Sequence, residues 1–169
     1  MNQLRKAMPK GRQGFTLIEL LVVIGIIGIL AAIVLIAVNP GRQFAQARDT
    51  QRKSDLLSIS NSIYQFAAEH NGDLPDNDGD DTLVGFPGAV VCIGNVAPCF
   101  NLATATNAAG TETIVPTYIA GIPMDPATGD AADTGYTVFQ DTGTGGRIVV
   151  SAITELPQAD GTKIITITR

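Results

Sequence analysis

From Phe15 to Val38 the chain carries 24 residues with one charged side chain, Glu19, and one other polar side chain, Thr16. As an α-helix rising ~1.5 Å per residue, such a run spans roughly 36 Å, enough to cross a hydrocarbon core of about 30 Å with some tilt. Asn39, Pro40 and Gly41 follow. A helix break is expected at Pro40 and Gly41, because proline removes an amide donor and glycine weakens a helix by about 1 kcal/mol relative to alanine. Beyond the break, Leu56, Ile59, Ile63, Phe66 and Ala67 recur at three- and four-residue spacing. That pattern predicts an amphipathic helix from Gln43 to His70, stopped by Asn71 and Gly72 with Pro75 just after. Arg48, Asp49, Arg52, Lys53 and Asp55 crowd onto the same helix. They read as a solvated face carrying pairs such as Asp49 with Lys53, each contributing tenths of a kcal/mol.

Residues 73 to 117 show few periodic runs and predict an irregular, loop-rich region. The carboxyl-terminal part changes character. Tyr136 to Gln140, Arg147 to Thr154 and Lys163 to Thr168 are rich in β-branched and aromatic residues, with DTGTGG and LPQADG between them. These predict three strands joined by short turns, an antiparallel meander. Ile148, Val150 and Ala152 alternate with Val149, Ser151 and Ile153, so one sheet face can cover the helix carrying Leu56, Ile59 and Ile63. The expected class is α+β: a long N-terminal helix packed on a small C-terminal antiparallel sheet of about three strands.

Composition narrows the chemistry. The 169 residues leave room for the apolar segment and one small soluble domain. Arg5, Lys6, Lys10 and Arg12 are the only charges before Gly14, so the formal charge of −5 becomes −9 for the chain from Phe15 onward. A domain this acidic does not support nucleic-acid binding, which needs clustered Lys and Arg. Cys92 and Cys99, with six residues between them, suit a small disulfide loop in an exported domain, two free thiols being the alternative. Asp76, Asp78 and Asp80 alternate like the opening of a calcium-binding EF-hand loop, but Asp81 stands where that loop needs glycine and Pro87 where it needs glutamate. No cofactor is expected, with calcium at these three aspartates as the candidate exception. His70 has no motif partner, and Gly143 to Gly146 lie between strands rather than ahead of a helix, so no catalytic constellation is legible.

The N-terminal segment adds a specific pattern. KGRQG followed by FTLIELLVVIGIIGILAAI resembles the class III leader and processing site of type IV pilins and type II secretion pseudopilins. The resemblance implies removal of residues 1–14 by a membrane peptidase that cuts after Gly14 and methylates the new amino terminus at Phe15. It also implies that Glu19, with Thr16 as a polar neighbour, pairs with the amino terminus of an adjacent subunit during assembly. ARDTQRKSDL and IPMDP, the latter containing Asp125, are similar to stretches of pilin-like chains, although Asp125 equally suits a turn cap. The implied organisation is a leader at 1–14, a membrane and filament-core helix at 15–38, an amphipathic helix at 39–72, an irregular region at 73–134 and a β-meander at 135–169.

These readings converge on a filament subunit rather than an enzyme. Its implied partners are other copies of itself, the prepilin peptidase and methyltransferase, the inner-membrane assembly machinery, and the bilayer before assembly. The positive-inside rule does not decide topology, since Arg42, Arg48, Arg52 and Lys53 match the four leader charges in number. The resemblance implies a single-pass inner-membrane precursor with its amino terminus cytoplasmic and its soluble domain outside, destined for a pilus or pseudopilus. The alternative is a monomeric membrane-anchored binding or sensor domain, in which Glu19 is an acid that reaches the interface from a plain anchor.

Overall fold

The computed structural model describes residues 14–77, 85–107 and 109–169. It divides into two compact units, Met1–Pro40 and Gly41–Arg169.

The first unit is built on α1, Leu17–Val38. Thr16 caps its amino end in extended conformation, and Asn39 closes it in the left-handed region at φ 44°. None of its side chains is buried. The break expected at Pro40 and Gly41 falls one residue earlier, because both begin the next helix, α2, Pro40–Glu69. Proline suits a first helical position, where its missing N–H has no intrahelical acceptor to lose, and it disfavours the α conformation in the residue before it. Asn39 absorbs that restriction.

In the second unit, α2 buries Leu56, Ile59, Ile63 and Phe66 along one face, as the spacing predicts. The helix ends where Asn71 turns left-handed at φ 58° and the Gly72 amide reaches back to the Ala67 carbonyl at 2.8 Å. That bond satisfies one of the carbonyls a helix end leaves without a partner. His70 stacks on Phe66 with ring centroids 4.2 Å apart, and its Nδ1 lies 2.8 Å from the Phe66 carbonyl.

The sheet has four strands rather than about three. In order across the sheet they are β1, Val91–Cys92; β2, Tyr136–Asp141; β3, Arg147–Ile153; and β4, Ile164–Thr168. Every pairing is antiparallel, with Val91 opposite Val138, Val138 opposite Val150, and Val150 opposite Ile167. The extra strand is two residues long, too short to show alternation. A disulfide between Cys92 and Cys99 closes the loop that follows it, and the Phe100 amide returns to the Cys92 carbonyl at 2.7 Å.

The region read as irregular also fills the core. Ile93, Phe100, Leu102, Ala105 and Ile114, the last in the single turn α3, Ile114–Thr117, join Tyr136, Val138, Ile148, Val150 and Ala152 in one cluster with the α2 residues. At roughly 1.5 to 3 kcal/mol per buried aliphatic side chain, these loop residues stabilise the unit as much as any one strand does. Ile59→Ala is expected to lower the stability of the detergent-solubilised chain by about 2–5 kcal/mol in urea unfolding. Leu57→Ala, one residue away and 43% exposed, should change it by less than about 0.5 kcal/mol.

Candidate functional site

The residues singled out at the amino terminus form a small hydrogen-bonded unit. The Thr16 amide donates to Glu19 Oε2 at 2.8 Å, the Thr16 hydroxyl donates to the same oxygen at 2.7 Å, and the Glu19 amide reaches Thr16 Oγ1 at 3.3 Å. This is a capping box: a threonine and a glutamate three residues on satisfy each other's otherwise orphaned amides. Its signature, T-x-x-E ahead of an apolar run, is present as Thr16-Leu17-Ile18-Glu19, and reading Glu19 solely as an intramembrane charge overlooks it. Phe15 is 89% exposed, and a Cβ added at Gly14 would meet nothing within 4 Å. No packing among the described residues therefore requires a glycine there.

The charge cluster of α2 departs from its expected solvated state. Asp49, Arg52 and Asp55 are buried, with Arg52 only 2% exposed. The Arg52 guanidinium forks onto Asp125, with Nε at 2.5 Å from Oδ2 and Nη2 at 3.0 Å from Oδ1. Its Nη1 donates to Asp49 at 2.7 Å, and Nη2 also reaches Glu155 at 3.2 Å. Asp49 thus pairs with Arg52 rather than Lys53, and it accepts the amides of Glu155 and Leu156 at 3.0 Å each. Arg48 closes the set by donating from both Nε and Nη2 to Glu155. One turn along, Asp55 accepts from the Tyr136 hydroxyl at 2.7 Å and from Gln51 Nε2 at 2.7 Å.

Asp125 caps a turn, as its sequence suggested, and also takes on a partner the sequence did not indicate. Its carboxylate takes the Arg52 fork, and it caps the following turn by accepting the Ala127 and Thr128 amides at 2.8 and 3.0 Å. Burial alone raises a carboxyl, yet the Arg52 hydrogen bonds and the two amides outweigh it and hold Asp125 down at about 2. Glu155 is lowered to about 2 chiefly by its hydrogen bond with Arg48, with Arg52 adding to it. Arg52 is raised, the hydrogen bond with Asp125 being the largest cause and outweighing the opposing effect of burial. Burial, then the bond to Asp55, pushes the Tyr136 phenol above its ordinary range.

Of the other sequence candidates, Cys92 and Cys99 are joined. Asp78 and Asp80 lie outside the described residues. Asp76 exchanges backbone hydrogen bonds with Thr106 at 2.9 and 2.8 Å.

Helix α1 is the one helix, among the described residues, long and apolar enough by length and composition to cross a membrane. Over residues 9–35 the chain matches the family model described as the prokaryotic N-terminal methylation motif. The chain carries the prepilin signature of type IV pilins and pseudopilins. That prepilin signature spans Lys10, Arg12, the Gly14–Phe15 pair, the capping box and most of α1, and fits a pilin-like, membrane-anchored precursor. Comparison with curated proteins and with solved structures found no match in either.

Two outcomes follow for the ionic cluster. Arg52→Ala strands Asp49 and Asp125 as buried carboxylates without their cation and should cost about 3–5 kcal/mol. Arg48→Ala, at a side chain 37% exposed, should cost no more than about 1 kcal/mol. Both are measured by urea unfolding. Because the folded-state carboxyls of Asp125 and Glu155 sit at about 2, below their ordinary values, the stability they supply is complete above about pH 4.5 and is lost as pH falls toward 2. For Asp125, a descent from 3.8 to about 2 corresponds to about 2 kcal/mol. The thermal midpoint should fall across that window in wild type and more shallowly in Asp125→Asn.

Proposed function

We propose that this chain is the structural subunit of an extracellular or periplasmic filament, a type IV pilus or a type II secretion pseudopilus. In this reading it is inserted in the inner membrane through α1, cut after Gly14 by the prepilin peptidase, methylated at Phe15, and assembled through its N-terminal helix.

The observation that carries this reading is that α1 has no buried side chain while bearing the prepilin signature. Exposed leucines, isoleucines and valines each favour burial by roughly 1.5–3 kcal/mol, so the helix needs lipid first and protein later. Gly25 and Gly28 cost helix stability, yet a Cβ at either would meet nothing within 4 Å. Small residues in an apolar helix earn their place where another helix approaches closely, and among the described residues none approaches them.

Glu19 supplies the step from membrane to filament. A carboxylate deep in a bilayer costs roughly 2.5–3.5 kcal/mol on insertion scales. In the lone chain the capping box offsets part of that cost, with both Thr16 donors directed at Oε2. Oε1 remains to accept the amino group of Phe15 from a neighbouring copy. A buried acid that meets a fixed cation only in the assembly favours assembly and sets its axial register.

The test reads processing and assembly separately. A bulky residue in place of Gly14 should leave the leader attached, detected by mass of the membrane-fraction protein. Glu19→Ala should be inserted and cut normally, while its sheared-filament yield falls sharply against wild type. An uncut wild-type chain in cells with active peptidase, or equal filament yields for wild type and Glu19→Ala, would defeat the corresponding step.

A further inference from the structure

The strand order puts β1 and β4 at opposite edges of the sheet, and the two edges carry complementary surfaces. Next to β1, an apolar cleft of about 220 Å³ is lined by residues including Ile93, Leu102, Val115, Ile122 and Met124. It is preformed. Thr134 donates from its amide and its hydroxyl to the Ile93 carbonyl at 2.9 and 2.7 Å, and the Asn95 amide donates to the Ala131 carbonyl at 2.9 Å. The disulfide adjoins one wall, and the Arg52–Asp125 fork anchors the segment that supplies Met124. Met124 is 46% exposed, so the cleft reaches the surface.

Its surroundings are anionic. From Ser54 to Gly146 the chain contains twelve Asp and Glu and no Lys or Arg, and exposed Asp130 and Asp133 flank Ala131 and Thr134 in the cleft wall. The β4 edge is the converse. Ile153, 72% exposed, stands directly opposite Ile164, 53% exposed. The pair lies on the sheet face turned away from α2, since Ile148, Val150 and Ala152 alternate with it into the core. Lys163 adjoins the pair and is exposed, and exposed Arg169 follows the far end of β4.

We propose that a second copy of this chain docks its Ile153–Ile164 pair, with Lys163 beside it, into the acid-flanked cleft. The contact rests on the filament reading above. A cavity of about 150 Å³ lined by aliphatic side chains accommodates benzene, so this cleft has room for an isoleucine side chain. The charges are opposite in sign, which fixes register and disfavours contacts that bring two acidic regions together. Because knob and cleft occupy opposite edges, the contact is heterologous: each copy offers a free cleft at one side and a free knob at the other, and repetition extends a chain of subunits unless rotation closes it into a ring.

The experiment places p-benzoylphenylalanine at Ile164 in the full chain, assembles filaments, irradiates them, and maps the cross-links by mass spectrometry. The expected result is a ladder extending beyond dimer, with cross-links into residues 93–102 or 115–134 of another copy. The same photoreactive residue at exposed Gln65 should give no cross-link to those segments. In parallel, Lys163→Glu, an exposed substitution, should reduce filament yield by about tenfold or more through like-charge juxtaposition, with an unchanged thermal midpoint. Wild-type filaments whose Ile164 cross-links map elsewhere, stop at dimer or do not form would overturn this contact and leave the filament reading intact, as would an undiminished yield for Lys163→Glu. Processed wild-type chain that forms no filament would remove the reading and the contact together.

Discussion

Burying Arg52 obliges the rest of the second unit to answer a permanent positive charge. A guanidinium that keeps its proton above pH 12 cannot escape burial by neutralising, so carboxylates must come to it. Asp49 arrives from the same helix, Asp125 from the turn 73 residues on, and Glu155 from just beyond β3. Each brings backbone with it: Asp125 holds the Ala127 and Thr128 amides, and Asp49 holds those of Glu155 and Leu156. One cation thereby ties α2, the loop before β2 and the connection before β4 together. Replacing such a cluster with apolar groups is often neutral for stability, so what it supplies is a single permitted arrangement of three segments.

The two units meet the hydrophobic requirement in opposite ways. Gly41–Arg169 closes its own core, with aliphatic side chains from α2, the loops and three of the four strands fully or nearly enclosed. In α1 the apolar surface is uncovered all round. A helix apolar on every side belongs in lipid or inside a larger assembly, and the prepilin signature lies on the same residues. The capping box suits either environment. It satisfies the Thr16 and Glu19 amides locally, so two of the donors that a helix start leaves open are met within the chain.

Much of this was already legible in the chain. The extent of the apolar run, the prepilin signature at its start, the amphipathic face of α2 and the three longer strands each depend on composition or periodicity over a short window, and short windows are what a sequence displays. Even the true position of the helix break obeys a local rule, since proline favours a helix start and restricts the residue before it, which points to Asn39. The T-x-x-E capping box was likewise written in four consecutive residues. What only the tertiary structure decided is of another kind. Asp49, Arg52 and Asp55 look the same in sequence whether solvated or enclosed, and Arg52 is buried because partners 73 and 103 residues away reach it. β1 is a strand because β2 lies alongside it, two residues being too few to carry a pattern of their own. Ile93, Leu102 and Ile114 are core because a disulfide loop and a turn fold over α2. Local chemistry determines which element forms; the pairing of distant groups, which no window contains, determines what that element touches.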